Sequence, residues 1–390
     1  MFEKAVEKDR RIRVMRIIAR MNVGGPAVQV SGLMRGFNSE QFDQRLLTGF
    51  CNPDEADYLD TVATDVVATK IKGFGRSISP KEDLVSFFRI AREIRKFKPD
   101  IIHTHTAKAG FVGRAASLLS GHRSLRVHTF HGHLLHGYFS PLKTKLVIWA
   151  EKVLAIFTNF LLAVGETVKN DLLEAGIGNP KKFGVMPPGL QLETLPSKEA
   201  ARKVLGLSDS AIYCAFIGRI TQIKRPDRLL DVVAELTRQG SPVRFIVAGA
   251  GDLLDESQTR AEKENLPVTF LGWRSDIETV LAASDIVLLT SDNEGTPLSL
   301  IQAGMAGAPV VSTNVGSVSE VVQNNVGGFV VDTSVDSLAR AISRLVADSD
   351  LRKKMGDAAK EYTTSRYGVK RLVEDHQNLY KKLLNDRAKS

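Results

Sequence analysis

The chain has 390 residues, 43% hydrophobic and 25% charged, with a formal net charge of +9 and two cysteines. At roughly 150 residues per domain, that length predicts two to three domains of an ordinary soluble globular protein. Cys51 and Cys214 exclude a disulfide framework and fit a reducing cytosol, and the charged start Met1–Arg20 excludes a secretory signal.

In chain order, Arg13–Ala19 reads as a strand, Gly24-Gly25-Pro26 as a turn and Val28–Phe37 as a helix. The basic helix Leu84–Phe97 leads into a strand at Pro99–His103, and Arg126–Phe130 and Phe160–Val164 are further strands. Leu146–Val164 is apolar but broken by Glu151, Lys152 and Asn159, so it falls short of the roughly 20 apolar residues that span a bilayer. Val185-Met186-Pro187-Pro188-Gly189 interrupts the series, because no helix or central strand continues through it. A short helix at Ser197–Leu205 opens a second series. Its strands are Ile212–Ile217, Val243–Ala248, Val268–Leu271, Ile286–Thr290, Pro309–Ser312 and Gly328–Val331, and the tail Ser337–Leu384 is helical. Strands alternating with amphipathic segments predict parallel α/β sheets. The expectation is two Rossmann-like domains, residues 1–187 and 188–369, with a ligand cleft where the carboxyl ends of their strands face each other.

The positive charge is uneven. Residues 1–187 hold 28 Lys/Arg against 18 Asp/Glu, residues 188–350 hold 14 against 21, and residues 351–390 hold 11 against 5. The block 101–150 has six Lys/Arg and no carboxylate, and seven of the eight histidines lie between His103 and His136. A basic front and an acidic middle suggest domains with different partners. His131-x-His133-x2-His136 has the spacing of a metal site but neither a carboxylate nor a cysteine near it, so no metal is assigned. Asp348-Ser349-Asp350 sits between two helical patterns, where Ser and Asp serve as caps. Leu134–Lys152 mixes Phe, Tyr, Trp and Leu with Lys143 and Lys145. It suits an anionic membrane surface or a lipid-linked acceptor, and equally an amphipathic helix packed on the sheet.

Strand Ile212–Ile217 ends in Gly218-Arg219, with Lys224 five residues on. Gly218 lets the backbone turn at the strand end, and a planar guanidinium with a compact ammonium suits a diphosphate; two solvated surface cations remain the alternative. After Ile286–Thr290 comes Glu294-Gly295-Thr296-Pro297-Leu298, entering a helix whose N-terminal N–H groups can bind phosphate. The bland alternative for Glu294 is an acid favoured by the helix dipole. Gly249-Ala250-Gly251 is an incomplete dinucleotide fingerprint and reads as a tight turn near a nucleotide.

Together these segments resemble the retaining glycosyltransferases of the GT-B fold, family 4 (glycosyl transferases group 1). The resemblance rests on Gly218-Arg219 with Lys224, on the element from Glu294 to Gln302, on Asn22-Val23-Gly24-Gly25 and Thr129-Phe130-His131-Gly132, and on Val247–Gly251 and Phe270–Trp273. It covers nearly the whole chain and implies a metal-independent, cofactor-free transfer from a nucleotide-diphosphate sugar, UDP-sugar favoured. The acceptor implied is a glycan or a polyprenyl-diphosphate-linked glycan in surface polysaccharide assembly. On that resemblance Arg219 and Lys224 hold the diphosphate, while Glu294 and His131 orient the sugar. Gly24, Gly25, Gly218, Gly249, Gly251, Trp273, Gly295, Thr296, Pro297, Leu298 and Gln302 line the donor. His103, His105 and Lys108 line the acceptor side. The helix at about 370–390 packs back on the first domain. The chain departs from the family at Gln302, where a glutamate holds the ribose hydroxyls; a glutamine still accepts a hydrogen bond but without charge. The implied location is cytoplasmic, with peripheral contact at the inner face of the plasma membrane. A sugar-nucleotide epimerase on the same fold and a nucleic-acid-binding protein are the rival expectations. The second lacks any RNP, KH or helix-turn-helix signature, so no nucleic-acid partner is expected.

Overall fold

A computed structural model describes residues 10–53, 55–75, 79–132 and 141–389. The chain forms two units, one of Met1–Leu190 with Val369–Ser390 and one of Gln191–Gly368.

The first unit runs β1 (Ile12–Ile18), α1 (Gly25–Gly36), β2 (Phe42–Thr48), α2 (Tyr58–Thr61), β3 (Ala68–Lys70), α3 (Pro80–Phe97), β4 (Ile101–His105), α4 (Ala107–Leu119), β5 (Leu125–Phe130), α5 (Pro141–Ile156), β6 (Phe160–Ala163), α6 (Glu166–Glu174) and β7 (Phe183–Val185). Its strands form one parallel sheet in the order β3-β2-β1-β4-β5-β6-β7. Such sheets are covered on both faces, so their strands are apolar throughout. Val14, Met15, Ile17 and Ile18 of β1 are fully buried, each stabilising by about 1.5–3 kcal/mol. Successive side chains alternate between the faces. Met15, Ile17 and Ile102 pack with α3 and α4, while Val14, Ile101 and Val127 pack with α1 and with the last helix of the chain, α15 (Val369–Lys389).

The second unit runs α7 (Lys198–Leu205), β8 (Tyr213–Ile217), α8 (Pro226–Arg238), β9 (Arg244–Ala248), α9 (Leu254–Lys263), β10 (Val268–Gly272), α10 (Ile277–Ala283), β11 (Ile286–Leu289), α11 (Leu298–Met305), β12 (Val310–Thr313), α12 (Val318–Val321), β13 (Gly328–Val331), α13 (Val335–Ala347) and α14 (Ser349–Tyr367). Its parallel sheet has the order β10-β9-β8-β11-β12-β13. Phe216, Phe245 and Val311 meet Leu229, Val233, Leu338 and Ile342 in its largest core cluster.

The two doubly wound α/β units are those predicted by the alternation of strands and helices. The helical tail is three helices, α13, α14 and α15. The last of these reaches α1 because α1 is flat there: a β-carbon at Gly36 would lie 2.4 Å from Val373 Cγ2, and one at Gly32 would lie 2.9 Å from Val369 Cγ2.

Candidate active site

Each sheet has a switch point, where the strand order reverses and the loops at the carboxyl ends diverge to leave a crevice. In the second unit β8 lies between β9 and β11, so the loop after β8 and the loop after β11 flank it. The first loop carries Gly218, Arg219 and Lys224; the second carries Ser291 to Pro297.

Hydrogen bonds tie these loops together. Thr290 Oγ1 donates to the Lys224 carbonyl at 2.9 Å, and the Asp292 N–H donates to the Ile223 carbonyl at 3.0 Å. Arg225 and Arg228 both donate to Asp292, at 3.0 and 2.8 Å. Within this frame Lys224 Nζ donates to Glu294 Oε1 at 2.5 Å, and Ser291 Oγ donates to the same oxygen at 2.5 Å. Arg219 is exposed and has no ion pair among the described residues. Sequence reasoning missed Ser291, Arg225, Arg228 and Asp292, although all lie within a few residues of the motifs.

Pro297 N-caps α11 with no side-chain bond, and the N–H groups of Leu298 and Ser299 have no partner among the described residues, so they are open to a ligand. Gly295, Thr296 and Leu298 are half-buried beside it. Gln302, also half-buried, makes no side-chain hydrogen bond among the described residues. A β-carbon at Gly218 would have no neighbour closer than 3.9 Å, leaving room for a ligand. Gly249 and Gly251 are different. Their β-carbons would lie 1.8 Å from the Gly218 carbonyl oxygen and 2.2 Å from that of Ile220, so glycine is required by the neighbouring backbone. Trp273, just past β10, is 44% exposed.

In the first unit β1 and β4 flank the switch point. After β1, the Gly24-Gly25 turn opens α1, and a β-carbon at Gly24 would have only the Asn22 carbonyl at 3.9 Å near it. After β4, Thr106 caps α4 at φ 70, a conformation uncommon for non-glycine residues.

The two-residue period of the strands sorts the histidines. Ile101, His103 and His105 share one face of β4, the face packed with α15. His103 Nδ1 meets the Tyr380 hydroxyl of α15 at 2.5 Å, and its Nε2 meets Thr129 Oγ1 at 2.7 Å. His103 is fully buried with both nitrogens occupied, which corrects the expectation that it lines an acceptor: no lone pair or proton is left for one. His105 is also fully buried and meets His131 Nε2 through Nδ1 at 3.1 Å. Lys108 likewise is not free, since its ammonium pairs with Asp83 at 2.6 Å. His131, directly after β5, is half-buried. Burial pushes its pKa down to about 3, and drives His103, His105 and His128 well below the usual imidazole value, with neighbouring imidazoles and Arg16 or Arg114 adding to the effect. The cluster is therefore neutral at pH 7. Arg16 shares its face, buried with its guanidinium 4.4 Å from the centre of the Phe37 ring.

Among the described residues no group of three or more His, Cys, Asp or Glu is placed to hold a metal ion; His133 and His136 lie outside the described residues. Asp348 accepts from the Leu351 N–H at 2.9 Å and caps α14. Of Leu134–Lys152, residues 141–152 are helical and the residues up to 140 lie outside the described ones. On that helix Leu142, Leu146 and Trp149 are exposed, and Glu151 is buried against Arg114 at 2.5 Å. No helix among the described residues is long and apolar enough to cross a membrane.

Residues 197–362 match the model of the glycosyl transferases group 1 family, and residues 23–194 match that of glycosyltransferase family 4. The chain is 29% identical over 356 residues to the UDP-Gal:alpha-D-GlcNAc-diphosphoundecaprenol alpha-1,3-galactosyltransferase of Escherichia coli, covering 88% of this chain and 89% of that one. It is 23% identical over 321 residues to the capsular polysaccharide biosynthesis glycosyltransferase CapM of Staphylococcus aureus, covering 80% and 84%. Among solved structures, Anabaena HepE in complex with UDP and glucose superposes with a TM-score of 0.81 at 21% identity, covering 95% of this chain and all of that one.

Proposed function

The chain belongs to the family 4, group 1 glycosyltransferases of the GT-B fold, and on that basis we propose that it is a retaining enzyme that transfers a hexosyl or N-acetylhexosaminyl group from a UDP-sugar to a lipid-linked glycan in surface polysaccharide assembly. The observation that carries this is the Lys224–Glu294 pair at the uncapped N-terminus of α11, beside the exposed Arg219, which has no ion pair among the described residues. The Escherichia coli relative, named for UDP-Gal and a diphosphoundecaprenol acceptor, supports the donor and acceptor classes.

Arg219, Lys224 and the open N–H groups of α11 meet the charge that develops on the diphosphate, with no divalent cation in the reaction. In the second unit Gly218 leaves space for phosphate, Trp273 borders the base, the Gln302 amide holds the ribose, and Glu294, fixed by Lys224 and Ser291, orients the sugar. In the first unit Gly24 and Gly25 serve phosphate and His131 serves the sugar. The acceptor hydroxyl attacks the anomeric carbon from the face the diphosphate is leaving. The carbon–phosphate oxygen bond breaks as the new glycosidic bond forms, and the hydroxyl proton passes to the departing phosphate oxygen. Configuration is kept without a protein nucleophile. The cation-rich helix α5, with Lys143 and Lys145 beside exposed Leu142, Leu146 and Trp149, suits contact with an anionic bilayer that presents the acceptor.

The test is a panel of sugar nucleotides screened for thermal stabilisation, followed by transfer to a polyprenyl-diphosphate glycan with and without EDTA. A donor that binds the folded chain raises its melting temperature. Stabilisation by a UDP-sugar, retained anomeric configuration in the product and EDTA-resistant activity are expected. Epimerisation of the donor at C2 with no acceptor modified would identify an epimerase instead.

A further inference from the structure

We propose that His105 is a positioning residue for His131: it holds His131 in the tautomer that carries its proton on Nδ1, making that nitrogen the donor presented to the sugar. The proposal rests on the reading that His131 serves the transferred sugar.

The two rings share one hydrogen bond, His105 Nδ1 to His131 Nε2 at 3.1 Å. Two neutral imidazoles can make it in two ways, and the surroundings of His105 decide between them. His105 is fully buried, and its other nitrogen, Nε2, has no partner among the described residues. If that nitrogen carried the proton, a buried N–H would be left unpaired, which proteins avoid more strongly than an unpaired acceptor. His105 therefore carries its proton on Nδ1 and donates it. His131 Nε2 accepts, so the proton of a neutral His131 resides on Nδ1. Burial, which disfavours the imidazolium, keeps both rings neutral.

His105 is itself held in place. Its ring stacks on His103 at 4.2 Å between centroids, with 29° between planes. His103 is pinned at both nitrogens by Tyr380 and Thr129. Support thus runs from α15 through His103 to His105, and ends at the half-buried His131. The second nitrogen of a functional histidine commonly sets the tautomer of the first. Here another neutral histidine does so, which orients His131 without giving it a charge.

The experiment is ring-nitrogen NMR on the full chain labelled with 15N-histidine, with the His131 signals assigned from their loss in His131→Gln. Wild type should show His131 protonated on Nδ1. In His105→Leu the signal should move to the Nε2-protonated or mixed form, and kcat should fall about tenfold with donor KM changed less than twofold. His105→Asn places an amide N–H close to where Nδ1–H stood, and should restore both the spectrum and most of the rate. A wild-type His131 protonated on Nε2 overturns the proposal, and this arm needs no variant to fold. A His131 spectrum unchanged in His105→Leu overturns it as well. A tautomer that shifts as expected while kcat stays at the wild-type value shows that His105 positions His131 but that the sugar does not use it, so the failure lies with the role given to His131.

Discussion

Lys224 and Glu294, seventy residues apart in sequence, share a hydrogen bond of 2.5 Å, so cation and carboxylate form one unit. Each is mostly buried, with side chains 16% and 10% exposed. Removing one leaves the charge of the other uncompensated, and losses within such a unit do not add. Lys224→Ala is expected to lower turnover by about 10²-fold, the scale of one preorganised electrostatic group. The double variant with Glu294→Ala should lose less than the two single losses combined. Arg219→Ala should cost a similar factor with an unchanged melting temperature, because Arg219 is exposed and outside any ion pair among the described residues. Turnover like wild type in both Arg219→Ala and Lys224→Ala would remove the diphosphate assignment.

Gln302 stands on α11, half-buried, and its amide makes no hydrogen bond among the described residues. A carboxylate there would accept from two ribose hydroxyls with charge assistance. Gln302→Glu is therefore expected to keep or tighten donor affinity by calorimetric titration. Loss of donor binding would assign the glutamine amide a different partner.

Gly316 holds the Glu294 backbone. Its φ is +52, and a β-carbon there would lie 1.8 Å from the Glu294 carbonyl oxygen. Gly316→Ala has to displace that segment, so activity should fall at least tenfold, alongside a stability loss of about 1–3 kcal/mol. Gly206→Ala is the control, with φ +67 and nothing within 4 Å of the added carbon. It carries the conformational cost alone, and its activity should stay at the wild-type level. Equal loss of activity in the two variants would show that the effect is general.

Stability should depend on the buried histidines. His103, His105, His128 and His376 are fully buried, and burial depresses each folded-state pKa, that of His376 to about 3. Above about pH 6.5 both folded and unfolded chains hold these rings neutral, and stability is complete. Below it the unfolded chain takes up protons that the folded chain refuses, so stability falls as pH falls, by about 1.4 kcal/mol per pH unit for each ring titrating in the unfolded chain alone. Urea unfolding midpoints should drop clearly between pH 7.5 and 5.5. Equal midpoints would show that the cluster takes up protons while folded.

The strands that were legible in the sequence are those buried on both faces, such as Tyr213–Ile217 and Ile286–Leu289, because a short, unbroken apolar run between glycine and proline signals is what a strand covered by helices on both sides requires. Phe42–Thr48 escaped notice because Asp43, Gln44 and Arg45 are only partly buried and break the run. Ala68–Lys70 is a three-residue edge strand with no pattern to read. In the site, residue types and short spacings marked Gly218, Arg219, Lys224 and Glu294. The partnership of His103 with Tyr380 spans 277 residues and leaves no local trace. The same distance effect hid the reason for Gly249, whose glycine is demanded by a carbonyl some thirty residues earlier.

The return of α15 to the first unit has a consequence for biosynthesis. Met1–Leu190 leaves the ribosome before the 178 residues of Gln191–Gly368, which take about 10–35 s to make at roughly 5–20 residues per second. Throughout that interval Arg16 and His103 wait for Tyr380, and the α1 face waits for Val369 and Val373. The second unit is continuous in the chain and waits for nothing. The half synthesised first is therefore completed last, and nascent chains stalled before Val369 expose an unfinished sheet face to chaperones and proteases.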